Sequence, residues 1–174
     1  SCNSGQTVQQ DSKVYESITL KAENIELSET YPASIQGRQD IAIYPQISGT
    51  ISKVCVKEGQ RVKKGQSLFV IDQVPYTAAL QIAEANVQAA EAGVATAELL
   101  YNSRVKLYEK GVISDYDLQT IYNQLLTAKA QLAQAQAQEV TAQNNMTYTM
   151  VLIPADGVVG TLPYREGALV SPSI

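Results

Sequence analysis

The sequence predicts an α+β chain in which one small β module is split into two halves by a long antiparallel helical hairpin. A β-type segment that occurs twice predicts the module, and an alanine-rich heptad pattern between the copies predicts the hairpin. The first copy runs Gly49-Thr-Ile-Ser-Lys-Val-Cys-Val-Lys-Glu58-Gly59, with Val62 beyond it. The second runs Gly157-Val-Val-Gly-Thr-Leu-Pro-Tyr-Arg-Glu166-Gly167, with Val170 beyond it. Each copy opens and closes on glycine, sets Glu before the closing glycine, and follows a proline, Pro45 or Pro154. One domain interrupted by an insertion accounts for this better than two separate domains. It points to a spacer that reaches a distant partner, and away from an enzyme.

Residues 18–36 read as extended, mixing Thr, Ile, Leu and Tyr with Glu and Lys, and Pro32 and Gly37 punctuate the stretch. From 41 to 72 the pattern is strand, turn, strand. Ile41, Ile43, Ile47, Ile51, Val54 and Val56 supply the apolar positions, and Gly49, Gly59 and Gly65 mark turns. Leu68-Phe69-Val70-Ile71 is a continuous apolar run of the kind a buried strand shows. Residues 151–172 repeat the pattern in shortened form.

Between the halves the period changes from two to three and four. Leu80, Ala83, Val87, Ala90, Val94, Ala97 and Tyr101 fall on one seven-residue repeat; Leu118, Ile121, Leu125, Ala128, Leu132 and Ala135 fall on another. These predict two helices facing each other along a coiled-coil seam. The alanines raise helix propensity and allow close approach of the two backbones. Pro75 suits the first turn of the first helix, with Asp72 placed to serve its free N–H groups, and Lys110-Gly111 suits its end. Ser114, with Asp115 and Asp117 after it, opens the second helix in a capping-box-like pattern, and Asn144-Asn145 weakens its far end. Each helix is expected to be about 50 Å long.

Composition narrows the chemistry. The 174 residues include no His and no Trp, so the usual general base and the commonest metal ligand are both missing. Cys2 and Cys55 are too few for a metal cluster or a disulfide framework. Cys55 is expected mid-strand on a buried face, out of reach of Cys2 on a loose tail. The formal charge of −4 argues against nucleic acid as a partner. No apolar run is long enough to span a membrane. Asp115 and Asp117 have no partner base, so capping accounts for them better than acid–base chemistry. Gly157-Val-Val-Gly160 lacks the third glycine and the strand-to-helix context of a phosphate loop. No cofactor or metal site is expected.

Ser1-Cys2-Asn3 resembles the cleavage point of a bacterial lipoprotein signal, which makes Cys2 a candidate lipidation site. The alternative is a chance cysteine on an ordinary disordered terminus. The polar stretch from 4 to 13 suits a flexible tether.

Tyr44-Pro-Gln-Ile-Ser-Gly-Thr-Ile, Val56-Lys-Glu-Gly-Gln-Arg-Val-Lys-Lys-Gly-Gln-Ser-Leu and Ile71-Asp72 through Pro75-Tyr76 resemble the first half-motif of the periplasmic adaptor proteins, also called membrane fusion proteins. Residues 151–172 resemble the second. The likeness covers 18–172 and is nearest to adaptors of resistance-nodulation-division tripartite efflux pumps. It implies a split lipoyl/biotinyl-like β-sandwich interrupted by an α-helical coiled-coil hairpin, with a partial β-barrel strand region at the N-terminus. The implied division is a tether over 1–16, an incomplete barrel strand region over 17–41, lipoyl-like halves over 42–74 and 149–172, and the hairpin over 75–148. The chain stops at Ile174, where further barrel strands and a membrane-proximal domain should begin, so it is expected to be part of a longer adaptor.

The resemblance also implies a non-catalytic role. The protein would link an inner-membrane efflux transporter to an outer-membrane channel, in the periplasm, anchored to the inner membrane through lipidated Cys2. Copies would assemble into a ring, a hexamer in the complete pump. The hairpin tip would meet the channel through Arg104, Leu107, Gly111, Val112, Ile113 and Ser114. Leu107 and Ser114 keep the family's spacing, while the family's arginine position holds Ser103 and Arg104 lies one residue late, turned by about 100°. Ser114 is also explained as a helix cap, and Leu107 as a seam-flanking residue. Competing readings are an adaptor of an ABC-type exporter or type I secretion system, and a lipoyl or biotinyl carrier domain. The carrier reading needs a modified lysine where this chain carries the helical insertion; Lys63 and Lys64 lie in a different turn and read as solvated turn charges.

Overall fold

A computed structural model describes residues 17–22 and 39–172. The tether, Cys2 and the stretch from 23 to 38 lie outside the described residues. The described residues divide into two compact units, one formed by 17–22 and 39–70 with 151–172 and the other by 71–150. Residues near 50 and near 160 therefore share one unit, as the repeat requires.

In chain order the elements are β1 (Ser17–Ala22), β2 (Gln39–Ile43), β3 (Gly49–Val54), β4 (Arg61–Val62), β5 (Ser67–Ile71), α1 (Val74–Glu109), α2 (Asp115–Tyr148), β6 (Met150–Leu152), β7 (Gly157–Val159) and β8 (Leu169–Val170). The strands form two four-stranded sheets, ordered β2-β1-β7-β4 and β6-β5-β3-β8. Strand β1 runs parallel to both β2 and β7.

The two halves of the β unit complete each other. Strand β4 of the first half pairs antiparallel with β7 of the second, Val62 opposite Gly157. Strand β8 of the second half pairs antiparallel with β3 of the first, Val170 opposite Gly49. These are equivalent positions of the two copies. The hydrogen bonds repeat the exchange: Gly59 N–H donates to Val159 C=O at 2.6 Å, and Gly167 N–H to Ile51 C=O at 2.8 Å. Val159 N–H donates to Gln60 C=O and Ile51 N–H to Ala168 C=O, both at 2.8 Å. Gly59 and Gly167 have φ of +81° and +85°, a backbone state that suits glycine and turns each half toward the other. A further tie joins the halves where Leu162 N–H donates to the Glu58 carboxylate at 3.1 Å.

The core lies between the sheets. Ile51, Leu68, Phe69, Ile153 and Tyr164 are fully buried, joined by Val62, Val159 and Val170. Adjacent residues Leu68 and Phe69 point to opposite faces of β5, so this strand is covered on both sides. The Phe69 and Tyr164 rings meet at 4.6 Å, tilted by 41°. Cys55 departs from expectation. Strand β3 ends at Val54, and the thiol is half-buried past the strand end, although its N–H still donates to Leu68 C=O.

In the second unit, α1 and α2 pack antiparallel along the predicted seam. Every heptad position named above is buried or half-buried, and Ala142 extends the row toward the root. The helices have 36 and 34 residues. Helix α2 continues past Asn144-Asn145 to Tyr148, the expected end of the hairpin, and its root is held by hydrogen bonds. Buried Thr149 donates its hydroxyl to Met146 C=O and accepts from the Gln73 amide at 2.8 Å. Its C=O accepts from Ile71 N–H at 2.7 Å. At the start of α1, the Asp72 carboxylate accepts from Val74 N–H at 3.1 Å, and Pro75 sits in the first turn as expected.

Two predictions test this packing. The buried Tyr164 hydroxyl has no hydrogen-bond partner among the described residues, and burial pushes its pKa above the ordinary value near 10. The fold thus favours the neutral phenol. Its contribution is intact below about pH 10 and falls as pH rises beyond that, where the unfolded phenol ionises. Tyr164→Phe is expected to match the parent or exceed it by up to about 1 kcal/mol in urea unfolding at neutral pH, and to lessen the alkaline loss. A loss above that size would mean the hydroxyl is satisfied. In the seam, Ala135→Leu forces extra volume between the helices and is expected to cost about 1–3 kcal/mol, read from thermal melting at 222 nm. Exposed Ala137→Leu should change little, and equal effects at both sites would disprove the seam.

Candidate functional site

The five residues that join α1 to α2 form the candidate site. Helix α1 ends in a Schellman motif. Gly111 N–H donates to Tyr108 C=O and Val112 N–H to Leu107 C=O, both at 2.9 Å, with Gly111 at φ +72°. Lys106, in the last turn, complements the negative end of the helix dipole. Helix α2 opens at Ser114, whose hydroxyl accepts from Asp117 N–H at 3.2 Å. Asp115 and Asp117 occupy its first turn. Both helix ends are thus capped within the link, and the backbone between them is held rigidly.

This brings the six predicted tip residues onto one end of the helix pair. Val112 is 65 % exposed, and Gly111 and Ser114 are exposed beside it. Ile113 is half-buried, so of the two branched apolar residues only Val112 stands clear of the helices. Arg104 and Leu107 lie one to two turns back on α1 and are both half-buried. The structure therefore separates the set into an exposed crest and two flanking side chains.

Sequence reading places Tyr101 in the seam and gives Tyr108, Tyr116 and Tyr122 no role. In the structure these four tyrosines, with Asp115, Leu118 and Gln119, line a groove of about 590 Å³ beside the link. The Tyr101 and Tyr122 rings approach to 5.4 Å at 51°. Asp115 lies beside Tyr108 in this lining, and its hydrogen-bonding and negative charge disfavour the phenolate and raise the Tyr108 pKa above its ordinary value. The seven-residue spacing of Tyr101 and Tyr108 is the signal that could have shown two rings on one face.

Comparison with known proteins agrees with this architecture. Residues 39–173 match the barrel-sandwich hybrid domain of the RND membrane fusion proteins. The multidrug efflux pump subunit AcrA of Escherichia coli K12 is 31% identical over 153 residues, covering 88% of this chain and 38% of that protein. The antibiotic efflux pump periplasmic linker protein ArpA of Pseudomonas putida is 33% identical over 155 residues, covering 88% of this chain and 38% of the relative. The chain thus spans well under half the length of these curated relatives. The crystal structure of MacA from Actinobacillus actinomycetemcomitans superposes with a TM-score of 0.57 at 32% identity, over 74% of this chain and 44% of that one. The membrane fusion protein Spr0693 of Streptococcus pneumoniae R6 has the same TM-score at 23% identity, over 71% and 52%, a likeness in fold. Two β halves that complete each other across an inserted helix pair, matched by this family over most of their length, establish that the chain belongs to the RND membrane fusion proteins.

Proposed function

We propose that the chain forms the lipoyl-like body and coiled-coil hairpin of a non-catalytic periplasmic adaptor. The adaptor joins an inner-membrane efflux transporter to an outer-membrane channel, and the link between α1 and α2 docks on the channel. The observation that carries the docking role is the exposed Val112 crest on a doubly capped link. An apolar side chain so exposed, on a backbone held so firmly, favours burial by a partner. The relatives named as efflux pump subunits and periplasmic linkers support the same role. The transporter supplies the energy, and the adaptor supplies geometry.

One crest is small, so docking relies on several copies arranged in a ring, where linked weak contacts add. Lipidation at Cys2 holds the protein to the inner membrane.

Two experiments test these points in cells carrying the complete adaptor. Val112→Asp is expected to lower efflux at least about tenfold in minimum inhibitory concentration, because an unpaired charge would be desolvated at the contact. It should leave expression intact, and unchanged efflux would remove the link as the docking point. Cys2→Ser is expected to move the protein from the membrane to the soluble periplasmic fraction. Continued membrane association without a lipid mass increment on the wild type would exclude the anchor.

A further inference from the structure

We propose that the tyrosine groove beside the link is a receptor for one arginine side chain of a partner protein. The groove combines two recognition elements for a guanidinium. Tyr101, Tyr108, Tyr116 and Tyr122 supply aromatic faces, and Asp115 supplies a carboxylate among them. The Tyr101 and Tyr122 rings are already packed at 5.4 Å, so this part of the site is pre-ordered. The lining contains no lysine or arginine among the described residues, so the carboxylate has no cation of its own within the groove. That leaves a negative charge facing ring faces that attract cations.

The shape selects among cations. The groove is broad and shallow, with Tyr116 79 % exposed along it. A planar guanidinium can stack on a ring and still present N–H groups to a carboxylate at its edge, which an ammonium cannot do. The Asp115 carboxylate has two oxygens that can accept from an incoming N–H. Gln119 adds an amide within the same lining. The inference rests on the docking role above for the partner's being a protein. The groove's preference for a guanidinium does not depend on that role.

The test uses the whole chain with 13C-labelled tyrosine rings, each signal assigned by Tyr→Phe replacement. N-acetyl-arginine amide is titrated against N-acetyl-citrulline amide, its uncharged isostere. The Tyr101, Tyr108, Tyr116 and Tyr122 signals are expected to shift and saturate with a dissociation constant on the order of 10 mM, as suits one cation on aromatic faces and one carboxylate. Citrulline should bind at least about tenfold more weakly, and Asp115→Asn should weaken the arginine response by a similar factor while the 222 nm signal stays unchanged. Tyr122→Leu, away from the helix cap, should give the same loss. Equal shifts with arginine and citrulline, an unaltered response in Asp115→Asn, or no shift up to saturating ligand would overturn the proposal. Those failures would leave the Val112→Asp result standing, and loss of the Val112 effect would leave the groove result standing.

Discussion

Neither half of the β unit can satisfy its own strand edges, and the rest of the fold follows from that. Strand β3 has its antiparallel partner in β8, and β7 has its partner in β4. Ile51 and Val159, equivalent residues of the two copies, each give an N–H and a C=O to the turn of the other half. An open strand edge leaves backbone groups that must find partners. Here the exchange supplies them, so residues about a hundred positions apart are obliged to meet. Everything between must leave the β unit and return to it. Two antiparallel helices of nearly equal length meet that condition with all their backbone hydrogen bonds internal.

The helix pair is held in an unusual balance. Alanine positions such as Ala83, Ala135 and Ala142 are buried, but each contributes only one methyl group to the seam. Cohesion per turn is therefore small, and high helix propensity along the pair has to supplement it. Larger side chains are placed toward the ends and the middle. Leu125 is buried, Tyr101 meets Tyr122 near the link, and the Gln73–Thr149–Met146 hydrogen bonds lock the root. Small side chains along much of the seam and hydrogen bonds at the root suit an element whose length matters more than its bulk.

The seam was legible residue by residue because a heptad leaves a periodic trace, and the link was legible because Gly111 and Ser114 are strong end signals. The repeat announced a single β unit, but it did not disclose which strands pair across the halves, β4 with β7 and β3 with β8; equivalent sequences fit other arrangements until the glycine turns are placed. Cys55 was misread because alternation alone does not reveal where a strand stops. Asn144-Asn145 lowers local helix propensity near the end of α2, and the Thr149 hydrogen bonds offset it, a tertiary effect no local pattern carries. The meeting of Tyr108 and Asp115 in one groove brings the end of one helix to the start of the next, so it depends on the turn geometry and leaves no periodic mark.

The link then poses a question of economy, since a docking surface could lie anywhere on two long helices. A turn is where helix backbones expose unpaired groups, and here the Schellman motif pairs two carbonyls and the Ser114 cap one N–H. A partner arriving at Val112 need not desolvate orphan amides or order a loose loop. On the docking reading, nearly all of the apolar transfer energy of that side chain is available, on the order of 1.5–2 kcal/mol for a valine. That is far too little to hold one copy in place, and enough when several crests engage together. On the same reading, a contact weak alone and firm in number would hold only when several copies engage together.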